Sequence, residues 1–340
     1  MKLSVSVTNY SWDDRLRDRL ASLAGFLDDT AVDTLWVPDH LLQADPASRH
    51  DEPMLEAYTV LGYLAGATSR IRLGTMVTAA TFRAPALLIK AVTTLDVLSA
   101  GRAWLGIGAG YNGDEARAMG LFLPETAERF ARMTDLLRLA RHMWNGDESP
   151  FRGEYLELEH PVGSPRPVTT PRPPVLIGGT GERRTLRLVA EYGDACNLFD
   201  VPDGGAAIRR QLDVLDRHCG DVGRPPEEIE RTVTTALESG ASADWLAERC
   251  RALADFGVQH VVVITRGRPF TDQELDTLAG AAAQVTGLAR EAEMPAESVG
   301  CAGADVLRGG VDERTQAFAC GRGRHLVRRH GVADQPSGQI

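Results

Sequence analysis

The chain has 340 residues, 43% of them hydrophobic, with 37 basic and 47 acidic side chains and a formal net charge of −10. That charge argues against nucleic acid or an anionic membrane as a partner. A mean hydropathy of −0.18, with no apolar run near the roughly 18 residues of a membrane span, predicts a soluble protein. Only Lys2 and Lys90 are lysines, which removes most Schiff-base and pyridoxal chemistry. The cysteines (Cys196, Cys219, Cys250, Cys301 and Cys320) are odd in number, scattered and form no C-x-x-C pair, the pattern of a reduced cytoplasmic protein.

From the N-terminus the chain alternates. Leu3–Thr8 reads as a strand rather than a signal peptide, and Asp13–Asp28 as a helix with Leu16, Leu20, Leu23 and Leu27 on one face. Strands are expected at Thr34–Val37, Ile71–Thr78 and Ala103–Ile107, with helices over Met54–Ala67, Ala86–Leu98 and Glu125–Trp144. Asn145–Pro173 breaks the pattern; its Pro and Gly content and the run Phe151-Arg-Gly-Glu-Tyr155 suggest an inserted hairpin and loop. Four further strand–helix units are expected: Val175–Ile177 with Glu182–Tyr192, Ala195–Phe199 with Gly204–His218, Ile229–Ala236 with Ala243–Phe256, and His260–Thr265 with Thr271–Ala289. Eight βα units with largely apolar strands favour a closed (β/α)8 TIM barrel over residues 1–292, with the insertion before the fifth strand. Residues 293–340 lose periodicity and are expected to form an irregular, poorly ordered tail.

In such a barrel the strand-end loops share one face. Asn9, Asp39, His40, Met76, Val77, Thr78, Gly110, Tyr111, Asn112, Gly178–Gly181 and Phe199 all fall there. Gly178, Gly179 and Gly181, with Thr180 as a candidate N-cap, follow a strand and precede a helix. That arrangement aims backbone N–H groups and a helix dipole at an anion such as a phosphate, although an ordinary βα turn also favours glycine. Arg183 and Arg184 could add charge. His40 is the candidate for proton transfer, since an imidazole can exchange a proton near neutral pH; a lone histidine is more often structural. No H-x-H or H-E-x-x-H spacing occurs, so no metal is expected. Gly108-Ala-Gly-Tyr-Asn-Gly113 matches G-x-G-x-x-G, but a Rossmann reading is rejected. The run follows the fourth strand, and the next clear helix is expected only near Glu125, whereas a dinucleotide fingerprint opens its helix at once.

Five segments resemble the luciferase-like flavin and deazaflavin oxidoreductases: Val37-Pro-Asp-His40, Ser69-Arg-Ile-Arg-Leu-Gly-Thr-Met-Val-Thr78, Leu95-Asp-Val-Leu-Ser-Ala-Gly-Arg102, Leu105-Gly-Ile-Gly-Ala-Gly-Tyr111 and Val175-Leu-Ile-Gly-Gly179. The similarity spans about residues 1–290. It implies a barrel of the bacterial-luciferase type, usually a homodimer, holding F420 or FMN at the carboxyl end of the strands. The run Arg183-Arg-Thr-Leu-Arg-Leu-Val-Ala190 with Asp194-Ala-Cys-Asn197 is most similar to the F420-dependent branch. The resemblance implies His40 near the redox face and a cis Met76–Val77 bond behind the ring; an ordinary third strand with a trans bond is the alternative. It also implies Tyr111 and Asn112 at the cofactor edge. The sugar-phosphate dehydrogenases of this branch carry a catalytic glutamate where Tyr111 stands, and they use lysines for the phosphate, so glucose 6-phosphate fits this chain poorly. The expected function is hydride transfer between F420 and a small organic substrate. An FMN monooxygenase is the alternative, and a barrel without catalysis the third reading.

Overall fold

The computed structural model describes residues 1–12 and 15–286. The expected tail at 293–340, and the last residues of the helix expected to end at Ala289, lie outside them. In chain order the elements are β1 (Lys2–Ser6), α1 (Leu16–Asp28), β2 (Thr34–Val37), α2 (Ala57–Ala67), β3 (Arg72–Thr75), β4 (Thr78–Ala79), α3 (Pro85–Leu98), β5 (Ala103–Gly108), α4 (Gly113–Met119) and α5 (Thr126–Trp144). They continue with β6 (Phe151–Arg152), β7 (Glu157–Leu158), β8 (Val175–Gly178), α6 (Thr185–Tyr192), β9 (Ala195–Phe199), α7 (Ala206–Val222), β10 (Glu230–Ala236), α8 (Ala243–Ala254), β11 (His260–Ile264) and α9 (Asp272–Thr286).

Eight parallel strands close in the order β1-β2-β3-β5-β8-β9-β10-β11, with β11 pairing back onto β1. This is the expected (β/α)8 barrel. The strands have two buried faces. Leu3, Val5, Leu35, Val37, Leu105 and Val263 join the large core under the helices. The alternate positions Trp36, Trp104, Leu176, Ala195 and Val262 form a second cluster with Met76 and Val77, as the period of two along a strand requires. Trp36 and Trp104 meet with ring centroids 5.7 Å apart. Gly74 makes room for them: a Cβ there would lie 2.7 Å from Trp36 and 2.8 Å from Trp104.

Several residues in the recognisable motifs hold the scaffold. Asp28 accepts the Ser69, Arg70 and Ile71 amides at 2.7, 2.8 and 2.7 Å. Buried Arg102 donates to the carbonyls of Ala65, Thr68 and Ile71 at 3.0, 2.9 and 2.7 Å, closing the end of α2. Buried Asp96 accepts the Val168 and Thr169 amides at 2.7 and 2.9 Å, so it pins the insertion to α3. That insertion carries the expected hairpin, β6 antiparallel to β7.

The structure corrects four local expectations. The third strand is not continuous over Ile71–Thr78 but breaks between β3 and β4 at the cis Met76–Val77 bond. α2 begins at Ala57 because Glu56 caps it, accepting the Thr59 amide at 2.7 Å. α6 begins at Thr185 with Arg184 in the cap position, so Thr180 is not its N-cap. A helix, α4, opens at Gly113, where none was expected before Glu125. It is only seven residues long and buries just Glu115 and Ala116, so it shows no apolar stripe. The Rossmann reading is therefore excluded by barrel closure rather than by a missing helix.

At the amino-terminal end of the barrel Ser4 Oγ bonds His260 Nε2, and His260 Nδ1 meets Glu230 Oε1 at 2.6 Å. The order resembles a hydrolytic triad, but Ser4 is fully buried and its oxygen accepts the Thr34 amide at 3.0 Å. No carbonyl substrate can reach it. Burial pushes the Glu230 carboxyl up, but His260 and Lys2 outweigh burial and bring it down to about 2. A depressed carboxylate pKa gives stability that is present above the unfolded value near 4.5 and is lost as pH falls toward 2. Urea unfolding at pH 6 and pH 2.5 should therefore show the parent losing about 2 kcal/mol more than Glu230→Gln. Equal losses would remove this plug as a determinant of acid stability.

Candidate active site

The carboxyl ends of the strands surround a cavity of about 530 Å³, within the usual size range of small-molecule sites. Asp39, His40, Met76, Val77, Thr78, Gly110, Tyr111, Asn112, Gly178 and Gly179 all line it. Thr180 and Gly181 do not; both are exposed on the turn before α6. Thr185 takes their place on the wall. Gly181 is needed for that approach, because a Cβ there would lie 2.8 Å from Thr185 Oγ1.

His40 and Asp39 are neighbours in sequence and face different partners. Asp39 is buried and takes a two-pronged ion pair from Arg83, one contact at 2.8 Å. Arg83 also reaches Glu56 at 2.6 Å and lies 4.8 Å over the Tyr58 ring. Burial works against charge on Arg83, but Asp39 and Glu56 hold its pKa above the ordinary arginine value. Burial, helped by the charge of Asp39, pushes the Tyr58 phenol up, so it stays protonated and bonds Thr78 Oγ1 at 2.8 Å. Thr78 in turn donates to Thr75 Oγ1 at 3.0 Å.

The carboxylate that meets His40 is Glu115, on the first turn of α4. Nδ1 of His40 lies 2.6 Å from Glu115 Oε2, while Oε1 accepts the Leu41 and Leu42 amides at 2.6 and 3.1 Å. Burial raises the Glu115 carboxyl, but the bond from His40 and the two amides hold it below the usual glutamate range. An ionised Glu115 fixes the proton of His40 on Nδ1, and Nε2 is then the ring nitrogen left for the cavity. Asn112 caps α4, its Oδ1 accepting the Glu115 amide at 3.1 Å, and so places the carboxylate. Tyr111, largely exposed, meets the His40 ring edge-on at 5.8 Å.

Sequence reasoning missed Glu115, Ser6, Arg129, Thr185 and Asn197. The turn at Asn112-Gly113 ahead of two acidic residues was a usable signal for α4 and hence for Glu115. Arg129 of α5 donates to the Gly110 carbonyl at 2.6 Å and lines the cavity, with its Nε buried and unpartnered. Ser6 also lines the cavity, and its Oγ is likewise buried without a partner. The Gly179 amide donates to the Asn197 carbonyl at 3.3 Å. An anion at this turn is thus left to the other N–H groups near the start of α6, the Leu186 amide excepted, which donates to the Gly181 carbonyl at 3.1 Å.

The profile of the luciferase-like monooxygenase family matches residues 6–305. A protein of Kineococcus radiotolerans named F420-dependent glucose-6-phosphate dehydrogenase is 37% identical over 220 residues, 64% of this chain and 63% of that protein. The chain spans about three-fifths of the length of the curated relatives it matches. An F420-dependent secondary alcohol dehydrogenase, solved with an F420–acetone adduct, superposes with a TM-score of 0.68 at 16% identity, over 82% of this chain and 97% of that one. Monooxygenase RslO1 from Streptomyces bottropensis gives 0.71 at 16% identity, over 85% and 100%. At these identities the two structures establish the shared fold alone.

The Glu115 arrangement predicts a measurable tautomer. Ring ¹⁵N shifts of His40 should report the Nδ1-protonated form in the parent and a mixture in Glu115→Ala. That variant should also lose about 1–3 kcal/mol of stability, because two amides lose their acceptor. An unchanged tautomer would leave Glu115 with the loop-holding role only.

Proposed function

The chain belongs to the luciferase-like monooxygenase family, and from that premise we propose that it is an F420-dependent oxidoreductase. It would move a hydride between the deazaflavin and a small organic substrate. The observation that carries this reading is the convergence, on one cavity, of the Met76–Val77 wall, the His40 ring and the glycine turn before α6. The names of the relatives at this level of identity support F420 over FMN.

The residues present fit such a cofactor. Val77 sits between Gly108 and Gly178, where added Cβ atoms would lie 3.0 and 2.9 Å from its methyl groups, so the wall behind the cavity is smooth and apolar. Ser6 and Arg129 both line the cavity, and each keeps one buried polar atom, Oγ and Nε, without a protein partner. Thr185, Arg129 and the first amides of α6 would hold the phosphate, while Met76, Val77 and Ala79 would back the ring. When bound, the deazaflavin supplies a two-electron acceptor or donor of hydride. His40 Nε2 takes the proton of the substrate hydroxyl or returns it to a carbonyl, and the Glu115 carboxylate steadies the imidazolium that forms. Asp39 and Arg83, locked to each other, hold the loop that carries His40.

A homodimer fits the family pattern and two exposed leucines on α3, Leu87 at 62% and Leu98 at 65%. Light scattering should give the mass of two chains; a single-chain mass would remove the dimer. The net charge of −10 speaks against nucleic acid, and among the described residues no helix is long and apolar enough to cross a membrane. Cys196, Cys219 and Cys250 are free and buried, which supports a cytoplasmic location.

The deciding experiment titrates the protein with F420 and FMN side by side. F420 should bind and FMN should not; loading with FMN alone would turn the reading to a flavin monooxygenase. Gly179→Val serves as one arm, because φ at this position is +121° and a β-branched residue is strained there. Its affinity for F420 should fall at least tenfold, about 1.4 kcal/mol. His40→Ala serves as the other, binding F420 normally but turning over about a hundredfold more slowly. Unchanged turnover would return His40 to a structural role.

A further inference from the structure

A second chamber, of about 450 Å³, opens beside the first and shares His40, Tyr111, Phe199 and Ile264 with it. Pro38, Ala44, Pro46, Met54 and Val201 make its walls. Phe199 is 50% exposed and Tyr111 72%, so large apolar surfaces stand open at its mouth.

The polar groups of this chamber are already engaged with the protein. Gln43 donates to the Thr8 carbonyl at 3.2 Å and accepts the Asp45 amide at 3.1 Å. The Thr8 hydroxyl donates to the Thr265 carbonyl at 3.1 Å. Asp45 accepts the amides of Ala47 and Gly267 at 2.9 and 3.0 Å. Asp200 is clamped by Arg249, one contact at 2.9 Å, and accepts the Thr235 hydroxyl at 2.7 Å. The charged residues on its lining are Asp45 and Asp200 and one exposed cation, Arg266, besides His40. Lys2 is tied to Glu230 and Lys90 to the Ser164 carbonyl, both away from this lining. His40, in the lining of both cavities, brings Nε2 as a polar atom without a protein partner, and at the exposed mouth stand the Tyr111 hydroxyl and the Arg266 guanidinium.

We propose that this chamber takes an uncharged secondary alcohol, or its ketone, with an apolar body, and not a phosphorylated sugar. The proposal rests on the oxidoreductase reading above and names its substrate class. A phosphate needs cations or free amides to replace its water, and here it would meet two carboxylates and a single solvent-facing guanidinium. Sugar hydroxyls buried against the wall of Pro38, Ala44, Pro46, Met54 and Val201 would lose water without gaining a partner, a penalty of the same kind. A ligand with one oxygen needs only His40, and its apolar body is stabilised by covering Phe199 and Tyr111. In the reaction the carbinol C–H and O–H bonds break and the C=O π bond forms. The carbon's hydrogen leaves with its electron pair for the deazaflavin, and the hydroxyl proton goes to His40 Nε2. The alcohol is oxidised and the cofactor reduced by the same two electrons.

Calorimetry on the protein without cofactor tests this directly, with 2-octanone and glucose 6-phosphate as probes. The ketone should bind saturably and at least tenfold more tightly than the sugar phosphate. Phe199→Asp should weaken the ketone at least tenfold, and Val201→Asp, on the same wall, should act in the same direction if the first variant does not fold. Tighter binding of glucose 6-phosphate, no saturable ketone binding, or ketone binding indifferent to both variants would each overturn the proposal. Failure of the F420 titration would instead remove the redox reading, and the calorimetry would still decide which ligand the chamber prefers.

Discussion

The closure of eight parallel strands at the β3–β5 seam is the constraint on which the site depends. At this seam Gly106 lies so close to β3 that a Cβ would overlap the Thr75 carbonyl oxygen. The Thr75 hydroxyl crosses the same seam to the Gly106 carbonyl at 2.8 Å. Just beyond it the third strand breaks, and β4 resumes pairing with β5 at Thr78 opposite Ile107. The break turns Met76 and Val77 toward the barrel axis, where they cap the Trp36–Trp104 cluster below and back the cavity above. A side chain at position 106 would push the two strands apart and carry this wall with them.

Electrostatics then divides the upper face into committed and uncommitted groups. Asp39 and Glu56 share the one charge of Arg83, and Asp200 pairs with Arg249. Glu115 spends one oxygen on two backbone amides and the other on His40. Such pairs add little net stability, but they fix geometry, because leaving either partner alone in a buried place is costly. The outcome is a hollow with the His40 imidazole, held by Glu115, on its wall.

Most of the barrel was legible because parallel strands buried on both faces read as short apolar runs between amphipathic helices. Thr34–Val37 and Ala195–Phe199 match the expected bounds, the other strands except the broken third differ by one or two residues, and helix ends differ by up to four. The site was legible as a set of strand ends, not as a set of bonds. Asp39 stands next to His40 in the chain, yet the carboxylate that His40 meets is Glu115, 75 positions away. Adjacent residues on an extended segment point to different sides, and a contact across two βα loops leaves no local trace. Thr180 looked like an N-cap because glycines precede the helix, but the turn runs on to Arg184. Parts of the Ser69–Thr78 and Leu95–Arg102 motifs, which carry much of the family resemblance, serve loop and helix ends through Asp28, Arg102 and Asp96. They identify the scaffold better than they identify the chemistry.

The central claim is that the hollow between Val77 and His40 holds a deazaflavin. A crystal structure of the protein soaked with F420 tests it most directly. The account predicts the ring against Met76 and Val77, its phosphate at Thr185 and the start of α6, and His40 Nε2 facing the reactive side. Cofactor density elsewhere on the barrel, or a ring lying away from His40, would contradict it.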